Sequence, residues 1–232
     1  MRSIHTPKID AAYWLAIVLA SIAGTNLGDL YADRSGLGIF GGLWLLVALA
    51  AAVFVAERRD RRAHELWFWL VILIIRTGAT NIADGTAHLW LARPDLSALT
   101  AVLLAVAAGF SRWAEPGRSL KADAPFWLAM LAAGVFGTAA GDVAQHLLGD
   151  WQACCVLGAA LAGAVALWVR VRSLAAYWLA VALARTAGTA IGDVLAEGAV
   201  DIGIIASTAL SLPLFALVAG WGQRRRALAA AA

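Results

Sequence analysis

An aspartate recurs four times in this chain at a fixed distance behind a tryptophan. Each time it stands in a stretch otherwise apolar enough to cross a bilayer. The four words are Gly24-Thr25-Asn26-Leu27-Gly28-Asp29, Ala79-Thr80-Asn81-Ile82-Ala83-Asp84, Gly137-Thr138-Ala139-Ala140-Gly141-Asp142 and Gly188-Thr189-Ala190-Ile191-Gly192-Asp193. Upstream stand Tyr13-Trp14, Phe68-Trp69, Phe126-Trp127 and Tyr177-Trp178, with 15 residues from Trp to Asp in every copy. A register kept four times marks an internal repeat, and the repeating unit is two helices long.

The helices belong in a membrane. With 62% hydrophobic and 14% charged residues over 232 positions, the chain is far too apolar for a soluble domain. Eight apolar segments have the length a spanning helix needs, about 12–32, 37–56, 66–90, 96–112, 125–148, 151–171, 175–197 and 202–221. They group into repeats at about 12–56, 66–112, 125–171 and 175–221 within one transmembrane domain covering 1–232. The first segment carries the same word as three internal ones, so it reads as a span and not as a cleaved signal.

The net charge of +3 is no nucleic-acid signature, because the basic residues sort by loop. The N-terminus, the loops after the second, fourth and sixth helices, and the C-terminus hold 14 of the 18 Lys and Arg; the opposite loops hold only Arg34 and Arg93. The positive-inside rule then puts both termini in the cytoplasm, as an even helix count also requires. All four word-bearing helices run the same way, so the repeats are parallel, about an axis normal to the membrane. Helices one, three, five and seven are expected to form an inner ring. Pro213 should kink the last helix. Cys154 and Cys155 are neighbours, a poor disulfide pair, and read as small apolar residues.

The word has a definite geometry. On a helical wheel the Thr lies about 40° from the Asp, and the residue eight before the Asp about 80° away. That residue is Arg76 in the second copy and Arg185 in the fourth, but Ser21 and Gly134 in the others. The small residues flank this face and let backbones approach closely in lipid. Four residues after each Asp comes Asp33, His88, His146 or Glu197, on the same face. Trp and Asp are about 22 Å apart along the helix. With each Trp as an interfacial anchor, the Asp sits in the outer hydrocarbon and the Arg near mid-membrane. Charges there are costly and must face each other, water or a ligand. Four Asp against two Arg leave a formal deficit of two charges, which one divalent cation or protons could meet.

These residues favour a small transporter of a divalent metal cation such as Mn2+, with protons as a coupling ion. Asp29, Asp84, Asp142 and Asp193 would form the central site with Thr25, Thr80, Thr138 and Thr189. His88, His146, Asp33 and Glu197 would be metal ligands at the outer mouth. Arg76 and Arg185 would be counter-ions that pair with the Asp. Bland alternatives stand beside this. The Asp could only lock the bundle, the Thr could bond to their own helix carbonyls, and the His could meet headgroups. Other readings are a transporter of an organic anion or zwitterion held by Arg76 and Arg185, a membrane scaffold or sensor, or a haem or quinone protein. No catalytic triad, metalloprotease or phosphate-loop word points to an enzyme. No cofactor is implied beyond the metal as cargo; the partners are the bilayer and the cargo, and a homo-oligomer is compatible.

The aromatic pairs and Asp-ended words resemble those of a bacterial membrane-protein family built from four tandem repeats of unknown function. In that family each unit has two transmembrane spans and a characteristic tryptophan. The resemblance covers about residues 12–222 and implies a multi-pass protein of the bacterial inner membrane, with no activity to transfer. The second copy departs from the pattern, with Ala79 and Ala83 in place of glycines.

Overall fold

The computed structural model describes residues 6–36, 38–60 and 65–231. Among them run eight helices: α1 (Ala11–Arg34), α2 (Gly38–Arg59), α3 (Leu66–Leu89), α4 (Arg93–Gly109), α5 (Ala124–Leu148), α6 (Asp150–Val171), α7 (Leu174–Ala196) and α8 (Ile204–Ala231). Six of these, all but α2 and α4, are long and apolar enough to cross a membrane. The chain is therefore a multi-pass, all-helical membrane protein. Among the described residues one strand pair, β1 (Trp113–Glu115) with β2 (Ser119–Leu120), forms between α4 and α5. It turns at Gly117, whose φ of +67° suits a residue without a Cβ.

The helix ends follow from local chemistry. Asp10 caps α1 by accepting from the Tyr13 N–H at 2.8 Å, and Ser173 caps α7 by accepting from Ala176 at 3.2 Å. α4 and α5 begin with proline in their first turn. Gly149, at φ +82°, is the single residue between α5 and α6. α8 continues through Pro213 and on past the basic cluster.

α1, α3, α5 and α7 form a closed ring, each packed on the next and α7 on α1. α2, α4, α6 and α8 lie outside. The contrast is plain in burial: 78% of the apolar window of α1 is buried, against 11% of that of α6. Trp44, Val102, Val156 and Leu217 point outward from the outer helices, more than half exposed, as lipid-facing side chains do.

The outer helices do not pack where the linear repeat suggests. Each lies mainly against the inner helix that follows it: α2 on α3, α4 on α5, α6 on α7, and α8 back on α1. The last of these closes the ring through α8. Its C-terminal Arg226 donates to Glu65 at 2.7 and 2.5 Å and to Asp10 at 3.0 and 2.9 Å, tying α8 to the starts of α3 and α1. Glu65 is 5% exposed. Arg226→Ala would leave that carboxylate without its partner, a case between a surface pair and a fully buried one. The expected loss is about 2 kcal/mol, seen as a lower unfolding midpoint in detergent.

The four repeat tryptophans correct the expectation of interfacial anchors. Trp14, Trp69 and Trp178 are at most 6% exposed and Trp127 is half-buried. Each stacks on the aromatic residue of the preceding inner helix. Trp69 meets Tyr13, Trp127 meets Phe68, Trp178 meets Phe126, and Trp14 closes the circle on Tyr177, with centroids 5.6–5.8 Å apart. Within each pair the two rings meet edge to face. Burial against a neighbouring helix outweighs the interface because each indole has an aromatic partner at its own level. Of the exposed tryptophans, Trp44, Trp151 and Trp221 sit on the outer helices and Trp90 at the end of α3.

Candidate functional site

The inner ring carries its axial side chains at every fourth position, so residues equivalent in the repeat form five successive layers. The first is Tyr13, Phe68, Phe126 and Tyr177, all buried. The second is Ile17, Ile72, Met130 and Val181, again wholly buried. The third is Ser21, Arg76, Gly134 and Arg185. The fourth is the Thr quartet and the fifth the Asp quartet. A four-residue stripe drifts about 40° per step around a straight helix. It stays on one line when helices pack with their i±4 ridges interdigitated, the packing that small-xxx-small words promote.

The small residues of the words are shaped by the neighbouring helix. A Cβ on Gly24 would overlap the Arg76 side chain, one on Gly137 would overlap Arg185, and one on Gly188 would overlap Ser21. The second copy follows the same rule in reverse. Its Ala79 faces Gly134, where an added Cβ would come within 2.5 Å of the Ala79 Cβ. Ala79 is thus tolerated because the third copy has no side chain at the opposing position.

Arg185 organises the Thr layer. It is wholly buried, and it donates to the hydroxyls of Thr25 at 2.7 Å, Thr80 at 2.5 Å and Thr138 at 2.7 Å. It also donates to the carbonyls of Ser21 at 2.8 Å and Gly134 at 3.3 Å. Thr189 completes the quartet at 3.4 Å from Thr25. Thr80 and Thr138 also bond back to their own helices, to Arg76 O and Gly134 O at 3.3 Å. So the local role expected of the threonines is present at Thr80 and Thr138, and Arg185 adds a shared one that joins three other helices.

The Asp layer lies at the other end of the column from the aromatic ring and is partly open. Asp84 and Asp142 are bridged by Arg93, from the first turn of α4; Arg93 meets Asp84 at 3.2 Å and is paired also with Asp142. This corrects the expected pairing. The Asp are not paired with Arg76 or Arg185, whose heads lie deeper, but with an arginine that reads in sequence as a loop charge. Asp29 and Asp193 carry no ion pair or side-chain hydrogen bond among the described residues. Asp29 lies within electrostatic reach of Asp84, Asp193, Glu197 and Arg185. Beside them, at the seam of α1 and α7, Asn26 donates to Ser207 at 2.5 Å while its buried Oδ1 has no partner. A Cβ on Gly192 would stand 3.0 Å from that oxygen.

His88, His146 and Glu197 are exposed at the rim of this end, one turn beyond the Asp layer. The side chain of Asp33 lies outside the described residues. Among the described residues no three His, Cys, Asp or Glu side chains are grouped closely enough to hold a metal ion. The aromatic end is covered. Thr6, Pro7 and Ile9 of the leading segment and Leu120 of β2 close over Tyr13, Phe68, Phe126 and Tyr177, leaving only a small hollow. Ile9 is held there by its N–H bond to Arg118 O at 2.7 Å.

Arg93, Asn26 and Ser207 were missed from the sequence. For Arg93 the available signal was its place next to Pro94, which fixes it at a helix start one short loop after the second Asp. The family model for a Repeat of Unknown Function (DUF347) matches residues 12–63, 125–173 and 176–227. These matches cover most of the chain, which therefore belongs to that family. Residues 66–112, with Ala79 and Ala83, fall between the matched copies. No curated protein and no solved structure matches the chain.

Proposed function

We propose that this member of a repeat family of unknown function is a small transporter of a divalent metal cation such as Mn2+, driven or balanced by protons. In this reading all eight helices span a bacterial plasma membrane, with α2 and α4 as its shortest spans. The region 66–112 is a fourth, diverged repeat, the pseudo-symmetry axis runs along the layered column, and both termini are cytoplasmic. The aromatic ring is then the cytoplasmic end and the Asp layer the outer one.

The observation that carries the proposal is the unequal division of the Asp layer. One half, Asp84 and Asp142, shares the single positive charge of Arg93. The other half, Asp29 and Asp193, faces the same space unpaired, next to the unpartnered Asn26 Oδ1. Carboxylate, amide and hydroxyl oxygens are the donors that hard divalent cations take. Such a cation would be drawn first to Asp29 and Asp193. Completing its shell would pull Asp84 and Asp142 away from Arg93. Arg93 thereby acts as a tethered cation that competes with the cargo, and the covered aromatic end keeps the column shut on the far side during loading.

An organic anion or zwitterion held by Arg76 and Arg185 together is less well supported, because Arg185 spends its donors on the Thr layer. The test is metal influx into proteoliposomes enclosing a metal-sensitive dye. Arg93→Gln should raise the apparent affinity for Mn2+ by about tenfold, since it removes a competing charge worth about 1.4 kcal/mol. Unchanged affinity in Arg93→Gln would remove the competition from this scheme.

A further inference from the structure

The two arginines of the third layer are treated very differently by the fold. Both are wholly buried. Arg185 is directed toward the Thr layer and bonded on every side. Arg76 finds no hydrogen-bond acceptor for Nε, Nη1 or Nη2 among the described residues. A guanidinium stays protonated at any ordinary pH, so it cannot escape the cost of burial by losing its charge. An unpaired buried cation is among the least favourable groups a protein interior can hold. Arg185 makes this worse, being a second buried cation within electrostatic reach of the first.

The groups around Arg76 are hydroxyls, which can turn a proton toward an anion. Tyr13 and Tyr177 lie within its electrostatic reach, and their hydroxyls share one hydrogen bond at 2.6 Å. One of the two protons makes that bond, so the other is free to be donated. The hydroxyl of Thr77, next in the chain, is buried and also unpartnered. Ser21, in the same layer, spends its proton on Ile17 O at 2.8 Å. The acids of the column are remote from this point: the Asp layer lies two layers beyond, past Arg185 and the threonines. The second layer, apolar throughout, supplies walls on the side of the aromatic ring.

We infer that Arg76, with Thr77 and the Tyr13–Tyr177 pair, forms a binding site for a small, weakly hydrated monovalent anion of the halide type, seated in the core of the bundle. A buried cation without an acidic partner selects an anion, and apolar walls favour one that gives up its water readily. Tight inner-helix packing favours one about the size of a water molecule over an organic acid. The anion offsets the charge of Arg76 and lowers the repulsion from Arg185. It is a resident structural ion, and the inference holds whatever the cargo of the Asp layer proves to be.

The experiment is thermal unfolding of the purified protein in detergent at constant ionic strength, with chloride or bromide exchanged for gluconate. The wild type should be several degrees more stable in either halide, with saturation at millimolar concentration. Arg76→Leu, which replaces the buried charge by an apolar side chain, should lose the halide dependence and be no less stable in gluconate than the wild type. Tyr13→Phe with Tyr177→Phe should weaken the halide response several-fold without removing it. Should Arg76→Leu not fold, bromide-soaked crystals of the wild type give a second readout, an anomalous peak within about 3.5 Å of the Arg76 guanidinium. Equal stability of the wild type in chloride and gluconate, or bromide peaks only at the surface, would overturn the inference.

Discussion

Gly137→Ala lowers the unfolding midpoint of the detergent-solubilised protein by more than any other single added methyl group. The Cβ would overlap both Cβ and Cγ of Arg185 and come within 2.9 Å of the Thr186 backbone nitrogen. A side-chain tip could move aside; the root of Arg185 and the backbone of α7 cannot. The helices must separate, and separation stretches the bonds by which Arg185 holds Thr25, Thr80 and Thr138. Overpacking of this kind costs about 3 kcal/mol. Gly158→Ala and Gly163→Ala on α6 are the controls, since an added Cβ there meets nothing within 4 Å. Alanine favours a helix over glycine, so both should be neutral or slightly stabilising. The facing pair gives a sharper check. Gly134→Ala should destabilise by itself, and Ala79→Gly added to it should recover most of the loss. Equal midpoints for Gly137→Ala and Gly158→Ala would mean that the ring is not packed as described.

Under the proposed function, influx at low metal concentration should fall steeply when either unpaired carboxylate is neutralised. Asp29→Asn and Asp193→Asn keep the size and hydrogen-bonding shape of the side chain and remove one negative charge each. If the cation is drawn to these two positions, each change should weaken apparent affinity by about a hundredfold, close to 2.8 kcal/mol per lost charge-assisted contact. Asp142→Asn should cost less, because that carboxylate is shared with Arg93 in the resting arrangement. Stability separates the cargo site from a lock between helices. Asp29 and Asp193 hold no partner that their loss would release, so both asparagine variants should unfold at or above the wild-type temperature. Full influx in both variants would refute the transport site. A fall in stability without any change of flux would favour the scaffold reading.

Much of this architecture is legible along the chain because its signals are local. A helix exposes one stripe at a spacing fixed by its own geometry, so the aromatic residue, the third-layer residue, the Thr and the Asp of each copy can be placed on one face by counting. Apolar length does the same for the spans, and the helix limits follow from caps and prolines within a turn. Inner and outer helices separate by the same means, since only α1, α3, α5 and α7 carry acids in mid-helix.

What one copy does to another is not local, and only the tertiary structure decides it. Helical counting shows which face a residue occupies, but not which helix stands opposite. So it gives the four glycine words without explaining why the second has Ala79, a question answered by Gly134 on the next helix. It places the tryptophans at one level and assigns them to the interface, whereas a neighbouring aromatic residue at that level buries them. It groups each outer helix with its own repeat, whereas each lies mainly against the inner helix that follows around the ring. Arg93 is the clearest case. Its backbone starts α4, and its long side chain reaches an acidic layer contributed by two other helices. Identical third-layer arginines likewise diverge, Arg185 satisfied by three neighbouring helices and Arg76 by none, because their surroundings come from segments distant in sequence.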